Sequence, residues 1–164
     1  MISSTSISVI LWVAALGSGL MAGIYFAFSV FIMSAFNQLE TSNAIHAMNS
    51  INTVILRSWF MPLFFATSVL SLMAIFLAYW QWQDPSSRLL LSAGVIYLLG
   101  MFVCTMVFSV PLNIFLAQVN AHGVEAQQLW ASYSTNWTNW NHMRTVSSLS
   151  TCAICIWLLV QQQN

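Results

Sequence analysis

The chain contains no lysine, and its fixed charges amount to three arginines and three acids in 164 residues. Charged side chains make up 4% of the sequence, where a soluble domain carries roughly 25%. So little charge cannot solvate the surface of a water-soluble fold. It also excludes the cationic face that neutralises phosphates, so nucleic acid is not an expected partner. Glu40, Asp84 and Glu125 stand singly in polar stretches, which leaves no carboxylate pair for acid–base work. Cysteine is scarce as well, and Cys104, Cys152 and Cys155 all fall inside apolar runs, so no disulfide framework is expected. Cys152-Ala-Ile-Cys155 has the spacing of a redox motif, but it lies deep in an apolar run where a thiol is unreactive.

Hydrophobic residues supply 59% of the chain and the mean hydropathy is +0.80. They gather into four long runs, at residues 7–33, 54–80, 89–110 and 141–160. Each is long enough to cross ~30 Å of hydrocarbon as a helix. The expected fold is therefore all-α, a single four-transmembrane-helix bundle spanning residues 1–164, in contact with membrane lipid. Asp84-Pro85-Ser-Ser is a short turn that makes the second and third spans antiparallel neighbours, and Pro111 is expected to close the third. The stretch from Asn113 to Asn139 is too polar to cross, yet Leu129, Trp130, Tyr133, Trp137 and Trp140 suit a helix or loop at headgroup depth. This gives a polar interfacial segment between helices 3 and 4. In the first span, Gly19-Leu-Met-Ala-Gly23 is a small-xxx-small motif that favours close packing against another span, with a homo-oligomer as its second use. An even number of spans puts both termini on one side. Arg88 in the second connection votes for a cytoplasmic location of that side, the membrane being the inner or plasma membrane if the cell is bacterial.

The two longer polar connections then share the opposite face, and the chemistry-bearing residues gather there. Asn136-Trp-Thr-Asn-Trp-Asn-His-Met-Arg-Thr145 crowds amides, indoles, an imidazole and a guanidinium at a membrane boundary. As a helix it sets Trp137, Asn141 and Arg144 on one face. An aromatic belt with a snorkelling arginine would explain the tryptophans Trp137 and Trp140, but not His142 or the amides. His46, Asn49 and Asn52, with Arg57 beyond them, recur every three residues and drift only about 60° per step around a helix. They either face inward or form a solvated helix. Asn113 follows Pro111-Leu112 and either orients a histidine or caps a turn. His122 belongs to a turn. No motif specifies a metal, although two histidines from different helices leave a metal or haem open. No Ser-His-Asp set and no phosphate-binding loop is present.

These elements resemble the anthrone oxygenase-like membrane proteins, a group also catalogued as a domain of unknown function. The likeness runs over nearly the whole chain: the glycine-bearing first span, His46-Ala-Met-Asn-Ser-Ile-Asn52, Pro111-Leu-Asn113, and the run from Trp130 ending in Trp-Thr-Asn-Trp-Asn-His-Met-Arg144. The resemblance implies a four-helix membrane bundle and, for an enzyme, a cofactor-independent oxygenase that oxidises an anthrone- or quinol-like lipophilic aromatic with O2. In that chemistry His142 or His46 would be the base and Arg144 or Arg57 would stabilise the phenolate. Asn49, Asn52, Asn113 and Asn141 would bind phenolic groups between walls formed by Trp137 and Trp140. The residues equally admit a non-catalytic module that binds a hydrophobic ligand or protein partner, its polar cluster serving only to lock helices together.

Overall fold

A computed structural model describes residues 4–162, and among these there is no strand. Helix α1 covers residues 4–36, running as Ser4–Ala27, a wide π-helical stretch Phe28–Ile32, and Met33–Phe36. After a turn closed by the amides of Asn37, Gln38 and Leu39, α2 spans Thr41–Ile55. The remaining helices are α3 (Phe60–Trp80), α4 (Ser87–Gln118) and α5 (Ala126–Gln161). Helices α1, α3, α4 and α5 are long and apolar enough to cross a membrane. Their outward faces carry Leu16, Leu20, Val69, Leu72, Phe76 and Val146, all exposed, as expected where lipid is the solvent. The protein is a multi-pass membrane protein.

Three boundaries differ from the sequence reading, each for a local reason. The apolar run starting at residue 54 is broken, because Val54 and Ile55 finish α2 and a turn follows. The Ser58 hydroxyl donates to the Ile55 carbonyl (2.8 Å) and accepts the Phe60 amide (3.2 Å), so α3 begins at Phe60. Pro62 is tolerated in that first turn, where its missing N–H would have had no helical partner. Pro111 does not close the third span. Helix α4 passes through it to Gln118, after π-helical stretches at Leu98–Val103 and Thr105–Ser109 that loosen the ladder ahead of the proline ring. The polar segment after it is mostly helix as well: residues 126–140 form the first part of the 36-residue α5. At ~1.5 Å per residue α5 is about 54 Å long, so part of it must stand clear of ~30 Å of hydrocarbon.

Helix α5 is the axis of the bundle. Its buried residues Ala126, Trp130, Tyr133, Trp137, Asn141, Arg144, Ser148, Thr151, Cys155 and Leu158 repeat every three or four positions and form one continuous seam. Near the termini the seam meets Leu11, Ala14 and Ala15 of α1, Leu77 and Ala78 of α3, and Leu90 and Ala93 of α4. At the other end it meets Ala44, Ile45 and Met48, the buried stripe of α2, together with Leu116. Asn37 ties α1 to this end by accepting from Trp130 Nε1 and Ser134 Oγ, both at 3.0 Å. Small residues set the helix separations. A Cβ at Gly94 of α4 would lie 2.6 Å from the Ser71 carbonyl oxygen of α3, and Gly100 packs directly on Ser147. In the Gly19–Gly23 motif only Gly19 packs internally, against Cys152, while Gly23 has open space around it.

Candidate functional site

The stretch of α1 from Ile24 to Phe28, the end of α2, the start of α3 and the second half of α4 surround a cavity of about 520 Å³. Most of its wall is apolar, with Tyr25 and Phe28 from α1 and Phe60 and Phe64 from α3. Polar groups come from three helices: Asn49 and Asn52 on α2, Thr105, Ser109 and Asn113 on α4, and Trp137 and Arg144 on α5.

Arg144 occupies the deep side. It is 4% exposed, and its guanidinium carbon lies 4.5 Å from the centre of the Tyr25 ring and 4.7 Å from that of Trp137. Its Nη2 donates to Asn141 Oδ1 at 2.9 Å. Asn141, fully buried, donates in turn to the Tyr25 carbonyl (2.6 Å) and to Ser29 Oγ (2.7 Å) on α1. Ser29 and Thr145 are joined at 3.1 Å, and Thr145 donates back to the Asn141 carbonyl at 2.9 Å. The arginine is thus fixed by a clamp between α1 and α5. Its charge, however, is not neutralised. Glu40, Asp84 and Glu125 are exposed in connecting segments, and the charged or ionisable neighbours of Arg144 are Tyr25, Cys104 and Tyr133.

Among the described residues six buried side-chain polar atoms have no hydrogen-bond partner, and five of them belong to residues lining this one cavity: Asn49 Oδ1, Asn52 Nδ2, Ser109 Oγ, Trp137 Nε1 and Arg144 Nε. An unpartnered buried polar atom costs about 1–3 kcal/mol. Four of the five can donate. With the guanidinium, they give the residues around this apolar cavity more unpartnered donors than acceptors.

The residues expected to form a site divide cleanly. Asn49, Asn52, Asn113, Trp137 and Arg144 line the cavity, and Asn141 stands behind Arg144. Asn113 accepts from the Tyr133 hydroxyl at 2.9 Å. His46, His142, Arg57 and Trp140 are elsewhere. His142 is exposed on the outer side of α5, because two residues turn a helix by about 200° and so point it away from Arg144. His46 is exposed on α2, where two steps of drift separate it from Asn52 by about 120°. Its ring neighbours that of His122, with centroids 6.0 Å apart, rather than that of His142. Arg57 is exposed in the turn before α3, and Trp140 stacks on Phe108 with ring centres 3.7 Å apart. Neither histidine is therefore placed to act as a base in the cavity, and Trp140 does not wall it. Among the described residues no three of His, Cys, Asp and Glu come together as a metal-ligand group.

Sequence reasoning missed Tyr25, Phe28, Phe64, Thr105 and Ser109. Each sits in an apolar run, where one aromatic or hydroxyl gives no signal of its own. Thr105 and Ser109 share a face with Asn113 at steps of four, and that spacing, read through Pro111, was the available clue.

The anthrone oxygenase family profile matches residues 54–154, more than half of the chain. That stretch contains Ser109, Asn113, Trp137, Asn141 and Arg144, while Tyr25, Asn49 and Asn52 precede it. No curated protein and no solved structure matches the chain. On the strength of the profile match the chain belongs to the anthrone oxygenase family.

Proposed function

We propose that the cavity binds a lipophilic hydroxy-aromatic compound of the anthrone or quinol type in its anionic form and oxidises it with O2, without a dedicated cofactor. The observation that carries this reading is Arg144, a buried guanidinium with no carboxylate partner, facing an apolar cavity rich in unpartnered donors. Deprotonation of an anthrone gives an aromatic phenolate. Its oxygen would sit against Arg144, with Ser109 and Asn52 donating to it or to a neighbouring phenolic oxygen, and with Tyr25, Phe28 and Phe64 against the ring faces.

The electron-rich anion then transfers one electron to O2, and the radical pair combines at the methylene carbon to give a hydroperoxide. Loss of water leaves the ketone. In balance, the CH2 group becomes C=O, one oxygen atom of O2 enters the product and the other leaves as water. Arg144 stabilises the phenolate, then the superoxide formed beside it. With no imidazole in the cavity, the proton is released to water when the anion forms, and the cation favours that release by preferring the charged ligand. His46 and His142 therefore have no role in this scheme.

The competing view, that the polar cluster only locks helices, applies to part of it. Asn141, through its amide nitrogen, and Asn37, through its amide oxygen, bond to neighbouring helices and are structural. Asn49, Asn52 and Ser109 line the cavity and each keeps a buried polar atom outside the hydrogen bonds that join the helices, which locking does not require.

With the termini cytoplasmic, as Arg88 suggests, the cavity lies in the outer half of the membrane. Labelling of a cysteine placed at Gly123 by an impermeant reagent added to intact cells tests that orientation. The activity is tested by oxygen uptake and anthraquinone formation in nanodiscs supplied with an anthrone, against empty discs and Arg144→Met protein. Saturable turnover above both controls is expected; uptake equal to that of empty discs would remove the oxygenase assignment.

A further inference from the structure

The cavity has an opening, and its position follows from how α3 and α4 diverge. At one level the two helices are clamped: Gly94 brings its backbone against the Ser71 carbonyl, and the hydroxyls of Thr67 and Tyr97 bond at 2.5 Å. The close packing of α3 on α4 is confined to the first part of α4, up to residue 103. Beyond it, α4 leans instead on α2, where Asn49 Nδ2 donates to the Leu116 carbonyl, and on α5. A wedge is left between α3 and the second half of α4, and the cavity fills it.

Helix α4 presents two rows to this wedge. Thr105, Ser109 and Asn113 form a polar row, and Met106, Val110 and Ile114 an apolar row beside it. Met106 and Ile114 are 48% and 57% exposed, and on the facing side Leu56 and Phe65 are 64% and 50% exposed. The outer end of the cavity is thus apolar on both lips, whereas its deep end holds Arg144 and Trp137, each about 5% exposed or less. Three of the four lip residues lie within helices apolar enough to span the membrane.

We infer that this gap is a lateral portal to the bilayer, and that Met106 and Ile114 on one lip with Leu56 and Phe65 on the other select the ligand by its apolar body. The ligand is a weakly acidic phenol whose head reaches Arg144 while an alkyl or fused-ring body lies through the lips into lipid. This rests on the reading of Arg144 as the anchor of an anionic head. It adds the source of the ligand, the membrane phase, and the residues that set its size limit.

The test uses the full-length protein in nanodiscs and two probes, 2-naphthol and a 2-naphthol carrying a twelve-carbon chain, with association followed by probe fluorescence. Ile114→Trp and Met106→Trp narrow the gap, Phe65→Ala widens it, and Val124→Trp, in the exposed connection before α5, is the control. Narrowing is expected to slow the alkylated probe at least ten-fold more than the compact one, and widening to shift the ratio the other way. The rates should follow the mole fraction of probe in lipid rather than its aqueous concentration. An unchanged ratio in all three lip variants, with Arg144→Met still weakening both probes, overturns the portal and leaves the site standing. Binding of both probes unaffected by Arg144→Met overturns the anchor and the portal with it.

Discussion

Replacing Arg144 by Met removes the charge while keeping most of the side-chain volume, and the structure allows both consequences to be sized. Taking a cation out of water costs several kcal/mol. In return the guanidinium receives two cation–π contacts, at about 0.5–2 kcal/mol each, and one charge-assisted hydrogen bond to Asn141, at about 1.5–3 kcal/mol. These sums nearly cancel. The variant should therefore unfold within about 2 kcal/mol of the parent, even allowing for the acceptor orphaned on Asn141. Ligand binding is a different matter. A phenolate about 4 Å from the guanidinium gains ~4 kcal/mol at an effective dielectric of 20, and its own desolvation takes back about half. The remaining ~2 kcal/mol corresponds to a loss of roughly 30-fold in affinity. The assay pairs thermal unfolding in nanodiscs with equilibrium binding of 2-naphthol above its pKa. If Arg144→Met lowered stability by more than about 4 kcal/mol and left naphtholate affinity unchanged, the arginine would be a structural strut and the reasoning from its missing counter-ion would be refuted.

Three further outcomes follow from the geometry. Gly94→Ala forces a methyl group against the Ser71 carbonyl and should cost about 1–3 kcal/mol in thermal or denaturant unfolding, whereas Gly23→Ala meets open space and should stabilise by up to about 1 kcal/mol through helix propensity. His46→Ala and His142→Ala should each leave naphtholate affinity and anthrone turnover within about two-fold of the parent, since both imidazoles face outward; a loss of ten-fold or more from His142→Ala would restore the imidazole as base. Asn141→Leu removes the bonds to Tyr25, Ser29 and Arg144 at once and should cost about 2–4 kcal/mol of stability in unfolding experiments, together with weaker anion binding as the guanidinium loses its fixed position.

The bundle was legible because its signal is collective. Runs of twenty or more apolar residues survive any single misread position, and the Asp84-Pro85 turn marks its own place. Helix ends were less so. Ser58 starts α3 through two hydrogen bonds of one hydroxyl, and Pro111 is carried by a π-helical backbone that no composition rule announces. The site was half legible. Trp137, Asn141 and Arg144 fall on one face at helical spacing, and the structure keeps them together. His142 lies within the same ten residues but nearly opposite, so density of functional residues along the chain was a poor guide where helical angle decides. Tyr25 was invisible because its position opposite Arg144 depends on how α1 docks on α5, which is set by the Asn141 clamp and not by anything local to residue 25.

The most direct test of the central claim is an ultraviolet titration of 2-naphthol in nanodiscs containing the protein, in empty nanodiscs, and in nanodiscs containing Arg144→Met. If the cavity binds an anionic oxygen at Arg144, the bound naphthol ionises about 1.5 pH units lower with the parent protein than in empty discs, in line with ~2 kcal/mol of preference for the charged form. Arg144→Met should abolish that displacement. Naphthol that binds the parent protein yet ionises at the same pH as in lipid, or higher, would contradict the account.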